Sequence, residues 1–484
     1  MANVLLISCN FAREPYPVYP LGMTLVAEAA RARGHTVREW DPLHAVGSHE
    51  KIVDAASTCA TMWEAMARES FNPDVIGISL RNIDNCDSSC PIAYADRELD
   101  APVRPGAGFT AAQLVEALRA HTDRPIVLGG AGFSLFPDSL VDRVGADYGV
   151  VGEGEGAFCE LVELLESGDR PAERVIHSSR VIPPEQFSCN SRDPALASFY
   201  LRDGGMLNVQ TKRGCPHRCA YCTYPVLEGR TYRFSPVEAV VDEIESLIKR
   251  YGANYYAMAD SVFNDRHGRY LGIAEELVRR SVDVPWMAFF RPQQFDREEI
   301  ALLRRSGLHS VEWGTDCASD TTLAHMGKDF TWDQAERSNS LFAEAGINNA
   351  HFVIFGGPGE TEQTLEQGIA NIGRLADCVV FAYCGVRILP GTGVHRLALA
   401  QGLAPADDDL LNPRFYFSPE LSRQRVHEAL LEAFAGRPDR IYPPQQDAER
   451  LNVFHRMGHR GPIWDMLLRR RTRTSRRRRA DRAV

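Results

Sequence analysis

The sequence predicts an α/β protein in two units, and three observations carry that reading. Short apolar runs alternate with stretches of helical periodicity from the first residues onward. A polar, proline-containing stretch interrupts the alternation from about 168 to 205. The alternation then resumes for about six further strand–helix units. We therefore expect a doubly wound, Rossmann-like domain over 1–167, a linker over 168–204 and a partial (β/α)6, TIM-like barrel over 205–396. A small, mainly helical C-terminal region (397–468) and a basic tail (469–484) complete the chain.

Each element follows from its local pattern. "NVLLIS" (3–8) is a short apolar run suited to a buried parallel strand, and the helical stretch after it stops at Gly34. "DVIGISL" (74–80), "PIVLGG" (125–130) and "YGVVGEG" (148–154) repeat the strand pattern, with the helices "FTAAQLVEALRAH" and "FPDSLVDRVG" between them. In the second unit the strands are "LNVQTKRGCP" (207–216), "NYYAMAD" (254–260), "WMAFFRP" (286–292), "SVEWGTD" (310–316), "NAHFVIFGGPGE" (349–360) and "CVVFAYCGVRILPGT" (378–392). Ligands of such folds gather beyond the carboxyl ends of the strands. There the sequence places Ser79, Gly129, Gly130 and "GEGEG" in the first unit, and a cysteine-rich loop after the first strand of the second.

Composition narrows the class. Hydrophobic residues make up 44% and charged residues 24% of 484, the balance of a soluble globular protein. The N-terminus lacks the basic region and cleavage pattern of a signal peptide, and no apolar run approaches the roughly 20 residues of a membrane span. A cytoplasmic location is expected. The net charge is −10, although residues 469–484 carry nine Arg and one Asp, so the body is more acidic than the whole. Without a basic stripe on the folded part, dedicated nucleic-acid binding is not expected. The tail reads as a solvated charge block, with binding to an anionic surface as its alternative.

Three of the twelve cysteines fall within "GCPHRCAYC" (214–222), spaced C-x3-C-x2-C. Three close thiols suit an iron–sulfur cluster with one iron left open, in the way catalytic metal sites keep a position for substrate. Zinc stays open on spacing alone, since His217 lies in the loop, but this is not a usual zinc-finger spacing. The scattered cysteines, Cys9 and Cys384 among them, read as small buried hydrophobes.

The cysteine loop, with an aromatic residue (Tyr221) before its last cysteine, resembles the signature of the radical S-adenosylmethionine (SAM) enzymes. "YYAMADSVFND", "GLHSVEWGTDCASDTTLAHMGK", "HFVIFGGPGET" and "RILPGT" resemble that family's later strand segments, with Asp316 where Glu is more usual. The resemblance implies a [4Fe-4S] cluster on Cys215, Cys219 and Cys222, whose open iron chelates SAM for homolytic cleavage to a 5′-deoxyadenosyl radical. It also implies SAM contacts from Tyr221, Asp260, Asp316, Gly356, Gly357 and Gly359, with Asn264 near Asp260, and an external one-electron reductant of flavodoxin or ferredoxin type. Tyr383, Cys384 and Arg387, on the last barrel strand, are candidates to face a substrate.

The first unit lacks a dinucleotide-binding glycine pattern at its first turn. It resembles instead the cobalamin-binding domain that precedes many radical SAM barrels. That resemblance implies cobalamin contacts from Ser79, Leu80, Gly129, Gly130, Gly152, Glu153 and Gly154. The Asp-x-His-x-x-Gly motif of a lower-axial histidine is missing, so cobalamin bound without a histidine ligand and a domain that has lost cobalamin are both open. The combination implies methylation of an unactivated carbon in a small-molecule, natural-product or lipid-type substrate. A non-methylating cyclisation, rearrangement or oxidation is the alternative reaction, and a non-catalytic iron–sulfur module the alternative class.

Overall fold

The computed structural model describes residues 1–9, 16–46, 54–81, 110–178, 181–444 and 453–468. The basic tail, with its anticipated disorder, lies outside them. The first unit is a six-stranded parallel sheet of β1 (Asn3–Ser8), β2 (Thr36–Trp40), β3 (Val75–Ser79), β4 (Ile126–Gly129), β5 (Tyr148–Val151) and β6 (Val175–His177). The strands run in the order β2-β1-β3-β4-β5-β6. The order reverses between β1 and β3, which makes their carboxyl ends the switch point where doubly wound sheets bind ligands. There Cys9 donates its N–H to Ser79 O at 3.0 Å and Leu80 to Gly129 O at 2.8 Å.

The second unit is a seven-stranded parallel sheet curved into an open half-barrel. Its strands are β7 (Leu207–Val209), β10 (Tyr256–Met258), β11 (Trp286–Phe290), β12 (Leu308–Asp316), β13 (Asn348–Phe355), β14 (Cys378–Cys384) and β17 (Arg440–Ile441). They run in the order β17-β14-β13-β12-β11-β10-β7, so the edge strands do not close on each other. Two antiparallel ribbons decorate the mouth: β8 (Lys212–Arg213) with β9 (Arg233–Phe234), and β15 (Val386–Arg387) with β16 (Phe415–Tyr416). Helices cover the outer face, where Phe290, Phe295, Trp313 and Phe342 meet at 4.9 to 6.3 Å, edge-on except for the tilted Phe290–Phe295 pair. The helix Val237–Tyr251 buries Val240, Val241, Ile244 and Leu247, one stripe at helical spacing, and stops at Gly252 in the left-handed conformation.

Three boundaries differ from the sequence reading. The stretch 168–204 is not an irregular linker: β6 extends the first sheet, and the helix Pro194–Asp203 is capped by Asp193. The C-terminal region, mainly helical as expected, also supplies β16 and the seventh barrel strand β17, beyond the barrel limit expected at 396. The run 378–392 is two strands, β14 and β15, broken at Gly385 with φ 78°. Among the described residues no helix is long and apolar enough to cross a membrane.

Candidate cofactor and active site

The cysteine loop leaves β8 through Gly214, whose φ is 86° and where a Cβ would lie 2.1 Å from Thr231 O. Its middle is pinned by backbone from two sides. Ala220 donates to Met326 O at 2.8 Å and receives the N–H of Val394 at 2.8 Å. A Cβ at Gly327 would lie 2.3 Å from Arg218 O, so the loop fits only against bare backbone. Cys215, Cys219 and Cys222 are free of disulfides, and the last two are only half-buried.

Fixed charge surrounds this loop. Lys328, nearly buried, forms an ion pair with Asp316, and Tyr221 donates its hydroxyl to the same Asp316 oxygen at 2.5 Å. Burial alone would lower Lys328, but Asp316 outweighs it and holds the ammonium above its ordinary value. Asp316 ends β12 at φ 59°, a sparsely populated conformation for a residue with a Cβ. Burial and then the cations Arg291, Lys328, Arg266 and Lys212 push His217 down to about 4. Burial pushes the Cys222 thiol up to about 12, and the neighbouring Cys219 and Cys215 add to the shift.

Such thiols ionise when a metal supplies the compensating charge, and the surrounding cations then offset the thiolates. The residues therefore fit a thiolate-bound iron–sulfur cluster. Lys328 and Arg291 are members of this site that sequence reasoning missed. Lys328 closes the quoted segment 307–328, but nothing local shows that it reaches back to Tyr221.

Other expected site residues are tied into the protein. Asp260 is buried and accepts from Thr211 N–H at 2.7 Å, Thr211 Oγ1 at 2.5 Å and Lys212 N–H at 3.2 Å. It thereby holds the segment that leads into the cysteine loop. Asn264 likewise ties itself to Arg291 backbone and Gln293. Gly356 and Gly359 are required by protein packing, since Cβ atoms there would lie 2.5 Å from the Phe417 and His325 rings. The buried Glu360 carboxylate accepts the Gly356 N–H behind that loop. Ser418, in the C-terminal region, donates its N–H to Gly356 O at 2.8 Å.

Arg387 is spent on Ile388 O at 2.6 Å and Leu410 O at 2.8 Å, anchoring the C-terminal segment. Cys384 is buried on the helix-covered face, in register with buried Phe355, whereas Tyr383 takes the opposite face.

The carboxyl edge of the first sheet faces the cysteine loop. Gly130 has φ 96°, and a Cβ there would meet Leu80 O at 2.4 Å. That close approach fixes Gly130 against Leu80 at the switch point. At Gly129 the nearest atom to a Cβ would be Val150 O at 3.9 Å, so bare backbone faces the crevice. Gly152 donates to Ser134 Oγ at 3.0 Å. Gly154 gives room for Val26, whose Cγ2 would lie 3.1 Å from a Cβ at that position, and so serves helix packing. Glu153 is an interdomain residue: it pairs with Arg233 and Arg213, while Glu155 takes the other side of Arg213. Arg81, one residue past Leu80, lies among the Tyr200, Tyr224 and Tyr16 phenols. This backbone-lined crevice at a switch point fits a large planar cofactor.

A half-barrel with a three-thiol loop at its mouth, opposed by such a crevice, defines a radical SAM enzyme with a cobalamin-binding domain. The chain belongs to that family: residues 209–370 match the Radical SAM superfamily and residues 7–162 the B12 binding domain. It is 26% identical to the tryptophan 2-C-methyltransferase of Streptomyces laurentii, covering 73% of this chain and 69% of that protein. It is 25% identical to an uncharacterized methyltransferase of Pyrococcus horikoshii, covering 79% of each. The radical SAM methyltransferase TsrM of Kitasatospora setae, solved with cobalamin and a [4Fe-4S] cluster, superposes over 100% of both chains with a TM-score of 0.79 at 24% identity. At that identity the likeness establishes the fold.

Proposed function

We propose that the chain is a cobalamin-dependent radical SAM methyltransferase that transfers a methyl group to an unactivated carbon of a small molecule. One observation carries this reading. The Arg213 and Arg233 contacts to Glu153 and Glu155 join the β8–β9 ribbon, which bears the cysteine loop, to the loop after β5 of the first sheet. The two cofactor sites are thereby held facing each other across one interface, as a shared substrate requires. When bound, the cluster supplies the electron that cleaves SAM, and the corrin carries the methyl group.

Cys215, Cys219 and Cys222 hold the cluster. Tyr221, Asp316 and Gly357 border the SAM position, where Lys328 pairs with Asp316. Ser79, Leu80, Gly129, Gly130 and Gly152 form the corrin-facing backbone. Tyr383 remains on the substrate side of β14. The S. laurentii relative acts on tryptophan, and a TsrM structure holds tryptophan with a SAM analogue. An aromatic substrate suits the Phe352, Phe381 and Tyr383 side chains on the inner face of this half-barrel. We place the reaction in the cytoplasm, where thiols stay reduced, with a flavodoxin- or ferredoxin-type electron donor. Supplied with SAM, reductant and cobalamin, the enzyme should release S-adenosylhomocysteine. Formation of 5′-deoxyadenosine without any S-adenosylhomocysteine would instead assign a non-methylating radical reaction.

A further inference from the structure

One face of the second sheet looks into the half-barrel. The register aligns Phe289 of β11 with Glu312 of β12, Glu312 with Ala350 of β13, and Ala350 with Val379 of β14. Aligned residues of a parallel sheet share a face, so Glu312 stands on the inner surface. Two residues further along β13 and β14, Phe352 and Phe381 stack at 5.1 Å and 9°. Tyr383 continues this wall at 6.3 Å from Phe352. Phe289 is 43% exposed although the rest of its strand is buried, so the inner face has uncovered aromatic surface.

Glu312 is 5% exposed. Its Oε1 accepts the indole N–H of Trp464 at 2.9 Å. Among the described residues its Oε2 meets no donor, and it is not one of the sealed, unpartnered atoms of the interior. Trp464, in the turn Ile463–Leu467, packs on Ala350 and Val379 and forms the floor beneath the carboxylate. Tyr16, from the first domain, closes a flank with Met206, Tyr255 and Met287. Among the described residues no cation compensates Glu312: burial, opposed only by the Trp464 bond, pushes it up to about 7. A buried carboxylate with an open oxygen and no counter-charge is costly unless something that arrives there pairs with it.

We infer that Glu312 is the substrate-orienting residue of this barrel, its open oxygen taking the nitrogen donor of a flat aromatic amine whose ring lies along Phe352, Phe381 and Tyr383. The inference rests on the methyltransferase reading, because it takes the barrel interior as the substrate site. Glu312 pairs with Ala350 and Asp316 with Val353, three residues further along β13, so the two lie about 10 Å apart along the strand. A one- or two-ring amine gripped at Glu312 therefore extends toward the mouth without reaching the Lys328–Asp316 pair. The carboxylate acts in binding and orientation, and the chemistry belongs to the groups at the mouth.

The test is calorimetric titration of the full-length holoenzyme with two probes of one shape, tryptamine and indole-3-propionate. Wild type should bind tryptamine at least about tenfold more tightly than the carboxylate, the worth of a charge-assisted hydrogen bond. Glu312→Gln, which keeps the shape and the Trp464 contact, should remove most of that preference. Trp464→Phe, which leaves the carboxylate in place, should keep it. Iron and corrin content of each variant reports folding. If Glu312→Gln loses its cofactors, the discrimination measured on wild type decides the matter. Equal binding of both probes, no binding of tryptamine, or a preference untouched by Glu312→Gln overturns the inference. Release of S-adenosylhomocysteine by wild type is measured separately, so a failure of the methyltransferase reading is told apart from a failure at Glu312.

Discussion

At the barrel mouth, Lys328, Arg291 and Asp316 crowd the cysteine loop, and that loop is locked by backbone on both sides. Across the interface, the carboxyl edge of the first sheet presents the bare backbone of Gly129, with Arg81 beside it and Glu153 taken up by Arg213 and Arg233. The difference follows from what each edge has to hold. A cluster and a sulfonium cofactor concentrate charge in a few atoms, so the protein answers with fixed charges in a confined place. A corrin is large and flat, so the protein answers by withholding side chains. The glycines of the two edges differ too: Gly214 and Gly327 make room for loop backbone, whereas Gly129 leaves space empty.

The two edges are separated by damaging one and reading the cofactor of the other. Cys222→Ala should drop iron to background and abolish SAM cleavage, while corrin content stays near that of wild type. Metal analysis and the visible spectrum check both. Loss of corrin as well would show that the edges are not independent. Gly130→Val puts a branched side chain at φ 96° against Leu80 O and should cost on the order of 1–3 kcal/mol in local strain. Corrin should be lost and iron retained.

Lys328→Met leaves the Asp316 charge buried without its partner. Removing one member of such a pair costs about 3–5 kcal/mol. Thermal denaturation should show a large fall, and the KM for SAM should rise.

The smallest effect concerns pH. Burial raises Glu360, behind the glycine loop, to about 7. A carboxyl raised in the folded state favours folding below its ordinary value near 4.5, and that contribution is lost as pH rises through about 7. Glu360→Gln should therefore lose less stability than wild type between pH 5 and pH 8. Parallel melting curves for the two proteins across that range would contradict the assignment.

Much of this was legible in the sequence, for reasons the structure makes plain. Buried parallel strands are continuous apolar runs, so "NVLLIS", "DVIGIS" and "FVIF" announce themselves. The cysteine spacing is local and needs no fold to be seen. What stayed hidden depends on residues far apart. Strand β17 is two residues, Arg440 and Ile441, and exists only because β14 is there to pair with it. Asp260 reads as a mouth residue, and its bonds to Thr211 and Lys212 show only in the fold. Tyr383 and Cys384 are neighbours in sequence and sit on opposite faces of β14, an alternation visible in the pattern once the inner face is known. Glu312 is one letter in "SVEWG", and its meaning comes from Trp464, 152 residues later.

One chain that holds both a radical SAM cluster and cobalamin is equipped to move a methyl group. The most direct measurement is anaerobic purification with cobalamin supplied, rebuilding of the cluster, and determination of iron, corrin and SAM products on the same sample. About four irons and about one corrin per chain are expected, with S-adenosylhomocysteine formed alongside 5′-deoxyadenosine. A full cluster with no corrin, even at high supplied cobalamin, would contradict the methyltransferase reading and leave the first domain a scaffold for a different radical reaction.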